Sequence, residues 1–201
     1  MTNLLTRFLS STHRWLYGCN EVIIFKAKPW DETQEFHVDT EVIPVKRDVA
    51  DGNLPRLASG LTRLLPQRLT WRSRRNDACY LLLIDGEGVG YGWIRSDEKV
   101  NIEEVGLSLM LDSSQICLFD FYIDPSFRGL GLYTKFLQEL RRQFKNASTL
   151  IYAESSNAAS LQGIAAAGFT VAASVCGICL LGRRFPTGIR ISLNCRAKIS
   201  I

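Results

Sequence analysis

Histidine is almost missing from this chain, with only His13 and His37 among 201 residues, and neither belongs to a Cys, Ser or Asp arrangement suited to nucleophilic catalysis. Cysteine is sparse too. Of the six, Cys79, Cys117 and Cys179 lie inside apolar runs and read as buried free thiols. Cys176-Gly177-Ile178-Cys179 has a metal-like spacing, but no second pair or suitably spaced His follows it, so no metal is expected. Charge of one sign is also scarce: 24 basic against 20 acidic side chains leave a net charge of +4. No basic stripe interleaved with aromatics appears outside one short arginine cluster, which disfavours a nucleic-acid partner. With 15 Gly and 6 Pro the chain is neither collagen-like nor of low complexity.

Targeting segments are missing as well. Asn3 to Gly18 is interrupted by Arg7, His13 and Arg14 and lacks a small-residue cleavage pattern, so a cytoplasmic protein is expected. Ser155 to Gly182 carries no charge, and Ile164 to Gly182 is apolar enough to imitate a membrane span. Its opening Ser155-Ser156-Asn157 and its Gly168-Phe169 step read instead as a helix followed by a buried strand.

What is present is a core: 46% of residues are hydrophobic, enough for a single domain over 21–201. Ahead of it, residues 1–20 form an amphipathic segment in which Leu4, Leu5, Phe8, Leu9, Trp15 and Leu16 recur at helical spacing with Arg7 and Arg14 among them. Such a helix packs on the domain, on a second copy, or on a membrane surface through residues 4–16, which would place the protein at the inner face of the membrane.

Glu21 to Ala27 reads as a strand, followed by a polar loop through Asp39. Asp51 to Leu65 reads as a helix broken at Pro66. Arg68 to Arg75 holds four arginines in eight residues, a solvated helix face or a patch for an anionic substrate. Cys79–Ile84 and Val89–Ile94 form a hairpin about Asp85-Gly86-Glu87-Gly88, and Val105–Leu111 and Gln115–Ile123 extend it as a meander. Leu132, Phe136, Leu137, Leu140 and Phe144 then mark an amphipathic helix. Ser148–Ala153 is a strand, Asn157–Ala167 a helix, Phe169–Leu181 one long or two short strands, and Gly188–Asn194 a last strand. The expected fold is a mixed α/β domain, a mostly antiparallel sheet flanked by helices.

The chemistry concentrates in Phe119 to Lys135. A buried strand ends at Pro125, and a loop with Arg128, Gly129 and Gly131 leads into the helix from Leu132. Glycines allow close backbone approach, and free amides at a helix start receive phosphate oxygens, so a pyrophosphate fits. The spacing is neither a Walker loop nor the GxGxxG of a dinucleotide fold.

In this context the chain resembles the GNAT superfamily of acyl-coenzyme A-dependent N-acetyltransferases. That family's signature is Arg or Gln, two residues, Gly, one residue, then Gly or Ala, directly after a strand ending near Pro; Arg128 and Gly131 match it. Asn157, Ser160, Gly168 and Phe169 fall at the offsets of its second motif. The resemblance covers roughly residues 78 to 182 and implies acetyl-coenzyme A or another acyl-coenzyme A as cosubstrate. It implies that backbone amides of Arg128, Gly129, Leu130, Gly131, Leu132, Tyr133 and Thr134 hold the pyrophosphate, that Tyr122 and Ile123 pair with the pantetheine, and that Asn157 and Ser160 contact that arm. An amine then attacks the thioester directly, with the amide of Ile123 stabilising the oxyanion.

Two positions depart from the family pattern: Tyr133 stands where the signature wants Gly or Ala, and Ile164 where many members place the tyrosine that protonates the leaving thiolate. Tyr152, Ser160 or water are left as proton donors, or the thiolate leaves unassisted, a thiol being already a fair leaving group. Asp120, then Glu103 or Glu104 on the preceding strand, are the candidate bases, Asp120 having a purely structural alternative. The Arg-Gly-x-Gly-Leu-Tyr variant is similar to transferases of surface-polysaccharide biosynthesis, which points to a small-molecule amine, an amino-sugar nucleotide among them, as acceptor. An acyl-coenzyme A-binding sensor or scaffold, and a membrane-surface acyltransferase on a lipid-linked acceptor, stand as alternatives. A homodimer is expected by analogy with the family.

Overall fold

The computed structural model describes residues 17–27, 40–45, 55–72, 77–96, 99–180 and 183–191. The expected amphipathic residues 4–16, both histidines, the whole 28–39 loop and the arginines at 74 and 75 lie outside the described residues.

Among the described residues ten strands and three α-helices follow in the order β1 (Tyr17–Ala27), β2 (Glu41–Val45), α1 (Ser59–Arg72), β3 (Ala78–Ile84), β4 (Glu87–Arg95), β5 (Lys99–Ile102), β6 (Leu107–Met110), β7 (Gln115–Ile123), α2 (Leu132–Gln143), β8 (Ser148–Glu154), α3 (Ala158–Ala166), β9 (Thr170–Leu180) and β10 (Arg183–Ile191). Eight strands form one sheet in the order β10-β9-β1-β8-β7-β4-β3-β2. Only β7 and β8 run parallel; the other neighbours are antiparallel. The mixed, mostly antiparallel sheet flanked by helices is the architecture the sequence pattern calls for.

Helices α2 and α3 cover one face. Leu132, Phe136, Leu137 and Leu140 of α2 lie on one stripe and pack with Leu118, Ile151 and Phe25 of the sheet. The other face is shared. Leu61 and Leu65 of α1 cover Leu81, Tyr91, Trp93 and Phe119, while the β5–β6 hairpin covers Val22, Ile24, Leu150 and Val175.

Four expectations are corrected. The strand expected at Glu21 begins at Tyr17 and lies in the middle of the sheet, between β8 and β9. The helix expected over Asp51–Leu65 and broken at Pro66 starts at Ser59 and runs through Pro66 to Arg72. Pro66 is on the exposed side of the helix, while Leu61 and Leu65 hold the opposite side in the core. The expected meander is absent. β6 pairs with β5 as a separate two-stranded sheet, because Val100, Ile102, Leu107 and Leu109 share one apolar face that caps the main sheet. Glu103 and Glu104 therefore stand in the turn between β5 and β6, not on a strand beside β7. The last strand spans Arg183–Ile191, earlier than Gly188–Asn194. Among the described residues no helix is long and apolar enough to cross a membrane.

Candidate active site

The sheet opens between its two parallel strands. β7 and β8 pair from Gln115↔Ser148 to Leu118↔Ile151 and no further. β8 continues to Glu154 in register with β1, and β7 continues to Ile123 in register with β4. The cause is a bulge. Trp93 faces Phe119 but Tyr91 faces Tyr122, so Asp120 and Phe121 together oppose Gly92. Asp120 takes a φ of 50°, which few side chains other than Asp and Asn tolerate. Gly92 leaves the space into which the Phe121 ring folds; a Cβ there would collide with it.

Past the bulge, the edge of β7 towards β8 is unpaired. The Asp124 amide donates to Val89 O at 2.9 Å, which fixes the alternation: Tyr122 bonds towards β4, and Phe121 and Ile123 present their backbone groups to the gap. Of the two residues expected to line that edge, Ile123 faces the opening, whereas the backbone of Tyr122 is taken by Tyr91. The Tyr122 ring stacks on Tyr91 with centroids 5.7 Å apart.

The loop that follows is built from a short 3-10 turn, Pro125–Phe127, then Arg128, Gly129, Leu130 and Gly131, all exposed. Gly129 and Gly131 have φ of 81° and 70°, and nothing lies within 4 Å of where a Cβ would stand on either. Gly131 caps α2 with no side-chain hydrogen bond. The first amides of α2, at Leu132, Tyr133 and Thr134, are thus left for an anion at the positive end of a twelve-residue helix. Arg128 folds back, donating from Nε to Ile123 O at 3.0 Å, with its guanidinium 5.6 Å from the centre of the Tyr122 ring.

Tyr133, the bulky residue of the loop motif, turns its ring between α2 and α3. It meets Phe121 edge-on with centroids 5.6 Å apart and fits because residue 163 is glycine, where a Cβ would lie 2.5 Å from the ring. Burial raises its phenol above the ordinary value, and a hydrogen bond with Ser160 opposes that. Asn157 is the N-cap of α3, its side-chain oxygen accepting from the Ser160 amide at 3.1 Å. Ile164 is fully buried in the core. Gly168, with φ of 83°, ends α3, and Arg141 secures that end by donating to Ala167 O at 2.6 Å while lying 5.2 Å from the Phe169 ring centre. The Asn-to-Gly-Phe motif therefore builds a capped helix.

On the opposite face stand the candidate acid and base groups. Tyr152 packs against both the hairpin cluster and the α1 cluster. Asp120 lies 3.4 Å from the Arg68 guanidinium of α1. Glu104 donates nothing to that pair: its backbone carbonyl accepts from Asn20 Nδ2 at 3.1 Å, and its Oε2 is buried with no hydrogen-bond partner. Desolvation pushes the Glu104 carboxyl above the usual range, and the charge of Glu154 on β8 adds to that. Tyr152 and Glu154 alternate onto the same face of β8. Asp120, Tyr122 and Tyr152 are thus brought to the α1 side of the opening, with Glu104 and Glu154 at its hairpin side.

Sequence reasoning missed Asp124, Glu154 and the partnership of Arg68 with Asp120. Only Asp124 left a signal, since Asp-Pro-Ser is a turn-capping combination. Cys176 and Cys179, three residues apart on β9, alternate onto opposite faces of the sheet.

The sequence model of the acetyltransferase (GNAT) family matches residues 48–169. No curated protein matches the chain. Among solved structures, an acetyltransferase of the GNAT family from Colwellia psychrerythraea superposes with a TM-score of 0.52 at 17% identity, covering 94% of this chain and 63% of that one. A protein assigned to the same family from Novosphingobium aromaticivorans gives 0.53 at 14% identity, covering 85% and 66%. A conserved protein of unknown function from Staphylococcus epidermidis gives 0.52 at 9% identity, covering 89% and 67%. The chain thus spans less than two thirds of the length of the first two.

Proposed function

The chain belongs to the acetyltransferase (GNAT) family, and from that membership we propose that it moves an acetyl group from acetyl-coenzyme A to the primary amine of a small molecule. The observation that carries the reading is the unpaired β7 edge beside an open glycine loop at the start of α2. A diphosphate suits the loop amides of Arg128 to Thr134, and an extended amide-bearing arm suits the backbone of Phe121 and Ile123.

Bound there, the thioester supplies an activated acyl carbon. The amine nitrogen forms a bond to that carbon, the carbon–sulfur bond breaks, and no covalent enzyme intermediate is required. The Ile123 amide, facing the gap, is placed for charge developing on an acyl oxygen. Glu104 is the better base, because its raised pKa suits removal of a proton from an ammonium, whereas Asp120 is occupied by Arg68. Tyr152 is the candidate donor of a proton to the departing thiolate, in place of the tyrosine that Ile164 replaces. An amino-sugar nucleotide remains the preferred acceptor, its diphosphate directed to the Arg68–Arg75 cluster.

Titration calorimetry with acetyl-coenzyme A tests the reading. Micromolar binding by the natural protein, abolished in Gly131→Trp with the folding transition unchanged, is expected; folded protein that binds no acyl-coenzyme A overturns it. Binding without thiol release across a panel of amines would favour a sensor, the reading supported by Ile164 in the core.

A further inference from the structure

The carboxylate at the end of β7 joins both halves of this site. Asp124 is 2% exposed. Its Oδ1 accepts from the Ser126 amide at 3.0 Å and from the Ser126 hydroxyl, and its Oδ2 accepts from the Gly60 amide at 2.8 Å. Ser126 lies in the turn that opens the glycine loop, and Gly60 lies in the first turn of α1. One side chain therefore caps two separate chain ends, each of which presents amides without intrahelical partners. These hydrogen bonds, that of the Ser126 hydroxyl foremost, hold its carboxyl below the ordinary range. Backbone bonds close the same knot: Ala58 to Gly88 O at 2.9 Å, Gly88 to Arg56 O at 2.7 Å, and Asp124 to Val89 O at 2.9 Å. Residue 60 has no room for a side chain, since a Cβ would lie 2.5 Å from Asp124 Oδ2 and 2.7 Å from the Tyr122 hydroxyl.

Asp120 repeats the arrangement farther back, through Arg68. From Asp120 to Asp124 a strand rises roughly 13 Å, and from Gly60 to Arg68 a helix rises roughly 12 Å. The spacings agree, so α1 runs antiparallel along β7 and is tied to it at both places. The two ties differ in strength: the Arg68–Asp120 pair is exposed to solvent, with side chains 44% and 23% accessible, and such pairs are well screened.

We propose that Asp124 is a positioning residue, whose carboxylate fixes the glycine loop against the first turn of α1 and so holds the loop amides where the cofactor's diphosphate meets them. The inference deepens the acetyl-coenzyme A reading and takes its ligand from it.

Hydrogen exchange in the free protein and acetyl-coenzyme A calorimetry test it together. Asp124→Asn keeps the size of the side chain but sets an NH2 group against an amide donor. The amides of Phe127 and Arg128 in the turn, and of Leu61 and Thr62 in α1, are expected to exchange about tenfold faster in concert, while those of Cys117 and Leu118 keep their rates. Affinity for acetyl-coenzyme A should fall about tenfold. Gly60→Ala attacks the same contact from the other partner and should reproduce both effects, although alanine is the better helix former. Ser126→Ala, which removes only the hydroxyl, should give a smaller shift in the same direction. A uniform loss of protection along the whole chain, or a turn left unchanged when α1 is loosened, overturns the positioning role. Failure of the natural protein to bind acetyl-coenzyme A overturns the ligand reading instead, and the exchange rates still decide the role of Asp124.

Discussion

β7 is two strands in one. Its first half, Gln115 to Leu118, is buried, and Cys117 and Leu118 are paired on both sides, with β4 and with β8. Its second half, Asp120 to Ile123, is half-buried and paired on one side only. The side chains differ less than the surroundings do: apolar and aromatic residues prevail in both. What separates them is a single extra residue opposite Gly92. The candidate site is therefore made by an irregularity of the backbone, which turns an interior strand into an edge at the centre of a sheet. Changes in the first half should act on stability and changes in the second on binding.

Leu118→Ala should have the largest effect. The side chain is fully buried between α2 and the sheet, and its truncation should cost about 3 kcal/mol in chemical denaturation. Acetyl-coenzyme A affinity of the folded fraction should stay within about twofold, because the open edge begins beyond the lost contacts. Gly92→Val comes next. Its side chain has to displace the Phe121 ring, which packs on Tyr133 and Phe136, so a destabilisation of about 2 kcal/mol is expected. Unlike Leu118→Ala, it should also weaken acetyl-coenzyme A binding in calorimetry. A stability loss with intact binding would break the proposed link between bulge and site.

The two halves also differ in how far the sequence reveals them. α2 shows through its apolar stripe, β3 and β4 through the turn at Asp85-Gly86, and the loop through Arg128, Gly129 and Gly131, because each depends on neighbours within a few residues. The bulge at Asp120 leaves no such trace, since it is defined by its opposition to Gly92 across the sheet. The central place of β1 was hidden for the same reason: its partners lie on β8 and β9, more than a hundred residues downstream. Asp120 was legible as an acid, but Arg68 beside it was read only as one of a cluster. Tyr133 stood out as an obstruction, and Gly163, which receives it, was visible only once α2 and α3 were placed together.

Two carboxylates near the opening are shifted in opposite directions, which gives a pH test. Asp124 is lowered, so its contribution to stability is complete above the ordinary value of 3.8 and is lost only as the pH falls through its lower folded value. Glu104 is raised above 4.5. The folded state then favours its protonated form, and stability declines as the pH rises from 4.5 through its folded value. Thermal denaturation of Glu104→Gln should lose that decline, and a kcat/KM profile measured against an identified amine should lose the acid limb that Glu104 sets. An unchanged limb would return the role of base to Asp120.

Arg68→Ala should have the smallest effect on the fold. The pair with Asp120 is 3.4 Å long and accessible on both sides, so its loss should change stability by no more than about 0.5 kcal/mol and less still in high salt. Binding of acetyl-coenzyme A should be unaffected, because Arg68 lies on the α1 face and the loop amides lie at the start of α2. The acceptor is where the change should appear. If the arginine cluster holds an acceptor diphosphate, KM for an amino-sugar nucleotide rises in Arg68→Ala, while KM for the same amino sugar without its diphosphate stays fixed. If both values move together, Arg68 acts by holding Asp120 in place. The contrast with Asp124→Asn then sharpens: the buried tie would govern where the cofactor loop sits, and the exposed tie would govern only what approaches from the other face.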